Sequence, residues 1–332
     1  MREYVETVCG LLPIDNIGFT LTHEHVYMDT TKIYFKSYGE SKMSDEKVTL
    51  ENRAGIVKDL HSIVFGYKDN IIFDNVNDMV NELREFYNHG GRTIFEVSTI
   101  DLGRDPLMLR EISEKSGVNI VMGGTYYYFP SIDLETQEII LNKGKTALAD
   151  LMIREFHEGV GSTGIKPGVL GEVGLQYDSK TNSILIHAAM IAQKETGAPV
   201  IVHSAPFEVL DVAEEEGADL SKIVMGHWTM NDKVEEVVKR GAWISFDQFG
   251  MNFPGIISDE QRVKDVIEIF ERGWEDHLLL SQDVCWKVRL KKYGGEGYTD
   301  LMLNTLPKLK QLGITQSQIN NLMCDNPKRL LR

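Results

Sequence analysis

The chain has 332 residues, 42% of them apolar, which is enough to bury a large core in one domain. Its 50 acidic and 35 basic side chains leave a formal charge of −15, which repels phosphate backbones and anionic lipid and so argues against nucleic acid or membrane partners. No segment approaches the roughly 18 uninterrupted apolar residues of a membrane span, and residues 1–16 hold no sustained apolar run, so a cytoplasmic protein is expected.

In chain order, the first β-rich run is GFTLTHEH (18–25), followed after a long gap by RTIFEVST (92–99), NIVMGGTYY (119–127) and KPGVLGEVGL (166–175). The second half adds PVIVHS (199–204), KIVMGHW (222–228), AWISFDQ (242–248) and HLLLSQD (277–283). Continuous apolar character, in place of alternation, is what strands covered on both faces of a parallel sheet should show. Helical periodicity fills the gaps. Val76, Met79, Val80, Leu83, Phe86 and Tyr87 share one helix face before the His89-Gly90-Gly91 stop, and a second helix fits 183–196, ended by Gly197. A third starts at Ser258, with Gln261 placed to complete a capping box, and runs to Gly273.

Eight strands alternating with helices predict an α/β fold, a single (β/α)8 TIM barrel spanning residues 1–332 as one domain. That fold needs about 250 residues. Most of the surplus falls in residues 26–75, a polar insertion after the first strand that carries Tyr and Phe and is placed to cover the barrel mouth. The competing fold is an open doubly wound sheet, which would carry a glycine-rich phosphate turn where the first strand here ends in Thr22-His23-Glu24-His25. Cys9, Cys285 and Cys324 lack CxxC spacing and read as reduced thiols.

Strand side chains alternate, so His23 and His25 project to one side and can grip one metal, with Glu24 turned away as a packing partner behind the site. Other predicted strand ends also carry ligand types: His203 ends PVIVHS, His227 ends KIVMGH, Asp283 ends LLLSQD, and Glu172 lies near the end of GVLGEVG. In a barrel these ends converge on one mouth. Nitrogen and oxygen donors without thiolate suit zinc foremost, and also manganese, cobalt or nickel, and a carboxylate between two ions can bridge them. His61, His89, His157, His187 and His277 lie away from the mouth, and the run Glu214-Glu215-Glu216 reads as a solvated helix face.

These motifs resemble the phosphotriesterase family of the amidohydrolase superfamily: LTHEH (21–25), TGIKPGVLGEVG (163–174), TGAPVIVHS (196–204), VMGHW (224–228), SQD (281–283) and DNPKRLL (325–331). GEVG, with KVRLKKYGGEGY (287–298) and LPKLKQLGIT (306–315), is similar to the phosphotriesterase-related subgroup. The resemblance implies two divalent ions, one held by His23, His25 and Asp283 and the other by His203 and His227, with one carboxylate joining both. In the best-known members a carboxylated lysine makes that bridge on the fourth strand. Gly171 occupies its place here, so Glu172 reaches the ions only if the strand bulges, the alternative being a Glu paired with an arginine. Lys166 is no substitute, because six residues at about 3.3 Å each put it roughly 20 Å away.

The resemblance places Tyr126 where an aromatic residue lines the pocket. Trp228 directly follows His227 and Trp286 lies three residues after Asp283, so both are candidate pocket walls, and Lys287 and Arg289 are candidates to bind an anionic group on the substrate, exposed ion pairing being the alternative. Two cations lower the pKa of a shared water, so the expected nucleophile is a hydroxide between them, with Asp283 as the catalytic proton acceptor. The expected reaction is hydrolysis of a small, anionic ester, lactone or amide, with incidental phosphotriesterase activity. A mononuclear deaminase-like enzyme and a non-catalytic ligand-binding barrel are the alternatives. A small-molecule substrate is the expected partner, and a homodimer is compatible with the sequence.

Overall fold

The structure is a computed structural model that describes residues 2–38, 43–174, 180–204 and 206–332. Leu175, which ends the fourth predicted run, and a short part of the insertion lie outside the described residues. Eight parallel strands form the barrel: β1 (Phe19–Glu24), β2 (Gly91–Glu96), β3 (Asn119–Met122), β4 (Leu170–Val173), β5 (Val200–Val202), β6 (Ile223–Met225), β7 (Trp243–Phe246) and β8 (Leu278–Leu280). The ladders run β1-β2-β3 and β4-β5-β6-β7-β8. Two seams close the ring. Gly123 bridges Val169, and Asp283 N donates to His23 O at 3.1 Å.

Each strand is followed by helix, as the periodicities require: α1 (Val76–Asn88), α2 (Pro106–Ser116), α3 (Leu134–Glu158, broken at Gly144), α4 (Lys180–Thr196), α5 (Val209–Glu216), α6 (Val234–Lys239), α7 (Asp259–Arg272) and α8 (Leu306–Gln311). Only half of the expected capping box forms on α7. The Ser258 hydroxyl accepts from Gln261 N, but the Gln261 side chain is turned along the helix, where its Nε2 donates to Asp265 Oδ1 at 2.8 Å, and the return bond from Ser258 N does not form. No helix among the described residues is long and apolar enough to cross a membrane.

Continuous apolar strands bury both faces. Ile201, Val224 and Leu279 face the axis with Phe95, Val121 and Val169, while Val200, Met225 and Leu280 pack outward under the helices. An N-terminal hairpin (Tyr4–Thr7 with Gly10–Pro13) and the C-terminal helix Asn326–Leu331 close the bottom, where Val5, Ile14, Leu330 and Leu331 join the axial core. The hairpin, short and outside the βα repeat, escaped the sequence reading. The insertion builds its own small core from Val48, Ile56, Ile63 and Ile71 against Met251, Trp286 and Val288 of the loops after β7 and β8. It therefore sits at the strand C-termini, the end where this architecture places its chemistry.

Candidate metal centre

All six side chains singled out from the strand ends meet at the mouth. Glu172 stands among the histidines. Its Oε1 lies 3.5 Å from His25 Nε2, and its Oε2 lies 3.3 Å from His23 Nε2 and 4.0 Å from the Nε2 atoms of both His203 and His227. Asp283 Oδ1 is 3.2 Å from His25 Nε2 and its Oδ2 is 3.8 Å from His227 Nε2. Donors about 2.1 Å from a tetrahedral ion sit roughly 3.4 Å apart, so these spacings are those of ligands around a cation.

The backbone departs from regularity to achieve this. Leu170 pairs with Val200 and Val173 with Val202, so β4 spends one more residue than β5 over that stretch. This is the bulge that Glu172 needs to turn inward, and its peptide with Gly171 is cis. Gly171 allows the tight fit, since a Cβ there would lie 2.7 Å from that of Ile201. Regular alternation from Ile201 carries His203 inward. From Val224 it would turn His227 outward, and here the chain instead enters the left-handed region at His227, φ 58°.

Asp247, at the end of β7, was missed by the sequence reading. Its Oδ1 is 2.7 Å from His227 Nδ1, its Oδ2 is 3.2 Å from His23 Nδ1, and both oxygens accept from His227 N at 3.1 Å. The signal was present, because Asp247 lies next to the end of the AWISFDQ run, much as Asp283 ends LLLSQD. Ser98 Oγ meets His25 Nδ1 at 2.9 Å and Tyr127 OH meets His203 Nε2 at 3.1 Å. Hydrogen bonds on Nδ1 of His25 and His227, and the Asp247 carboxylate facing Nδ1 of His23, leave each Nε2 directed at the centre.

The electrostatics call for positive charge. Glu172, Asp247 and Asp283 are buried together. Burial opposes charging His23, His25 and His227, but the carboxylates outweigh it and hold all three above their ordinary range. Burial pushes His203 down to about 4, leaving it a neutral donor. His23 Nε2, Glu172 Oε2 and His203 Nδ1 are buried without a hydrogen-bond partner. Three ligand groups have donor atoms within 4.8 Å of one another: His23, His25 and Glu172; Glu172, His203 and His227; His23, His227 and Asp283. The first two share Glu172. A fourth group, His187 with Glu215 and Glu216, lies at the surface, where Lys145 Nζ already reaches Glu216 at 2.5 Å.

A cavity of about 330 Å³ opens over the centre. Its apolar wall is Met28, Ile33 and Val64 of the insertion with Leu102 and Trp286, and Tyr127, Ser204 and Gln248 add polar groups. The other expected substrate contacts lie elsewhere. Tyr126 faces the helical layer and bonds Thr136, leaving the cavity to its neighbour Tyr127, because adjacent residues turn to opposite sides. Trp228 packs, half-buried, on the main core. Lys287 is buried with Nζ 2.9 Å from Asp69 Oδ1, and Arg289 is buried on the carbonyls of Gln282, Asp283 and Phe249. Neither lines the cavity. Both are held by acceptors that needed a buried cation, not by solvent-exposed pairs.

Comparison with known proteins agrees with this architecture. The sequence profile of the phosphotriesterase family matches residues 3–331. N-acetyltaurine hydrolase of Dictyostelium discoideum is 31% identical over 98% of this chain and 97% of its own length, and a phosphotriesterase-related protein of Nematostella vectensis is 33% identical with the same coverage. The crystal structure of a resiniferatoxin-binding protein from Rhodobacter sphaeroides superposes with a TM-score of 0.89 at 30% identity, covering 99% of this chain and 95% of that one. With its fold, profile and relatives in agreement, the chain belongs to the phosphotriesterase family and is a metal-dependent hydrolase of small molecules.

Proposed function

We propose that the centre holds two divalent ions, zinc foremost, with His23, His25 and Asp283 on one, His203 and His227 on the other, and Glu172 joining them. The observation that carries this is Glu172, shared by two adjacent histidine groups and bearing a buried oxygen with no hydrogen-bond partner. When bound, such a pair activates a water near neutral pH and polarises the bond to be cleaved. The chain's own groups do the rest. Asp283 accepts the proton of the attacking water and passes it to the leaving group as the acyl carbon–heteroatom bond breaks. The insertion covers the mouth and presents an apolar wall to the acyl part of the substrate.

The proposed substrate is a small carbonyl compound. The amide of a small N-acylated acid comes first, because of the relatives named N-acetyltaurine hydrolase, and an ester or lactone comes second, with phosphotriester cleavage incidental. The anionic character rests on those relatives alone, since Lys287 and Arg289 are engaged behind the wall. Barrel and insertion act as one domain over residues 1–332, a reading supported by the core they share at Met251, Trp286 and Val288. The test is metal analysis of the purified protein with a panel of N-acetyltaurine, N-acyl amino acids, lactones and a phosphotriester. Two ions per chain and amide or lactone turnover are expected. A zinc-loaded protein that turns over none of the panel overturns the substrate reading, and two ions retained in Glu172→Ala overturns the bridge.

A further inference from the structure

We propose that Glu24 and Arg289 are positioning residues for Asp283, gripping the backbone on both sides of it from behind the metal centre. The inference rests on the reading of Asp283 as ligand and proton acceptor. Glu24 is fully buried, and its carboxylate bonds Ser281, Gln282 and Val284, none of them a proposed ligand. Its Oε1 accepts from Gln282 N and Ser281 Oγ, both at 2.7 Å, and its Oε2 accepts from Val284 N at 2.9 Å. The two amides lie on either side of Asp283 in the chain. Arg289, also buried, takes the carbonyls: Nη1 donates to Gln282 O at 2.5 Å and to Asp283 O at 2.9 Å, and Nη2 donates to Phe249 O at 2.7 Å.

The remaining amide, Asp283 N, donates to His23 O at 3.1 Å, and Ser281 Oγ also accepts from His23 N at 3.0 Å. The segment is thus bonded to the backbone of β1, to a buried carboxyl on its amide side and to a buried guanidinium on its carbonyl side. Gly250 leaves room for the guanidinium, because a Cβ there would lie 2.6 Å from Nη2. What the grip holds is an unfavourable conformation. Asp283 has φ 50°, a region disfavoured for a residue with a Cβ, and from it the carboxylate reaches His25 and His227. Without the grip the peptide can relax to an ordinary φ and carry the carboxylate away from the centre.

Glu24→Gln and Arg289→Lys test this, since the first keeps the size of the side chain while replacing one acceptor oxygen by a donor, and the second keeps the positive charge while removing the forked donors that reach three carbonyls. In Glu24→Gln, kcat should fall roughly 10- to 100-fold, the loss expected from misplacing a reacting group by about 1 Å, while KM stays within about twofold. Zinc affinity of the metal-free protein, measured by chelator competition, should weaken about 10-fold. In a Asp283→Ala background the same change should add no further weakening, because the group being positioned is gone. Arg289→Lys should show the same pattern and serves if Glu24→Gln does not fold. Unchanged kcat in a folded variant, or equal weakening added on top of Asp283→Ala, overturns the inference while the metal-centre reading stands. Full turnover in Asp283→Asn overturns both.

Discussion

Asp247 Oδ1 lies 2.7 Å from His227 Nδ1 while the other oxygen of the same carboxylate lies 3.2 Å from His23 Nδ1, so one buried acid behind the centre orients a histidine of each proposed ion. It also accepts from the backbone N–H of His227, where the chain takes its left-handed turn. Asp247→Asn should therefore weaken metal affinity about 10- to 100-fold, as loss of a partner behind a ligand does elsewhere. Excess zinc should restore most of the turnover, because no reacting group is removed. Turnover that stays low at saturating metal would assign Asp247 a direct role instead.

Asp283→Asn keeps an oxygen donor and removes the proposed proton acceptor. Metal content should stay close to that of the parent protein, and turnover should fall about 10²- to 10⁴-fold, the usual contribution of a general acid–base group. Parallel metal analysis and steady-state kinetics separate the two effects. Equal losses of metal and activity would make Asp283 only a ligand.

These predictions differ in how far the sequence anticipated them. Ligand types at strand ends were legible because strand period and barrel convergence together put His23, His25, His203, His227, Glu172 and Asp283 at one mouth. Asp247 obeyed the same rule and could have been read. Lys287 and Arg289 could not, because a cation after a ligand faces substrate or core according to which acceptors the fold brings to it: Asp69 of the insertion, over two hundred positions away, for Lys287, and the carbonyls of Gln282, Asp283 and Phe249 for Arg289. Tyr126 and Tyr127 could not be told apart either, since a single-residue difference in where the strand ends decides which one faces the cavity.

The Asp69–Lys287 pair ties the insertion to the loop after β8. Burial raises the Asp69 carboxyl, but its bonds to Lys47 and Lys287 outweigh that and hold it below its ordinary value. A depressed carboxyl contributes stability that is present above the unfolded pKa of about 3.9 and is lost as pH falls through the folded value. Asp69→Asn should cost about 3 kcal/mol near neutral pH, the lower end for breaking a buried pair, because Lys47 on the same carboxylate is exposed to water. The gap to the parent protein should narrow as pH drops below about 4. Denaturant unfolding at both pH values measures it, and a gap independent of pH would remove the ion pair as its cause.

On the proposed reading, the wall over the cavity would set which acyl group fits. Trp286 and Ile33 meet there from opposite directions, one from the loop after β8 and the other from the insertion, and both are buried. Shortening either opens volume in the cavity, where the acyl chain of the proposed substrate would lie, without touching a candidate metal ligand. Ile33→Ala should shift preference toward longer acyl chains by about 1–3 kcal/mol per methylene accommodated, roughly 10- to 200-fold in relative kcat/KM, with metal content unchanged. Trp286→Ala should do the same more strongly and also loosen the insertion, because the indole belongs to its core. An acyl-length series assayed on both variants decides the point, since an unchanged length preference in both would place the acyl group away from this wall.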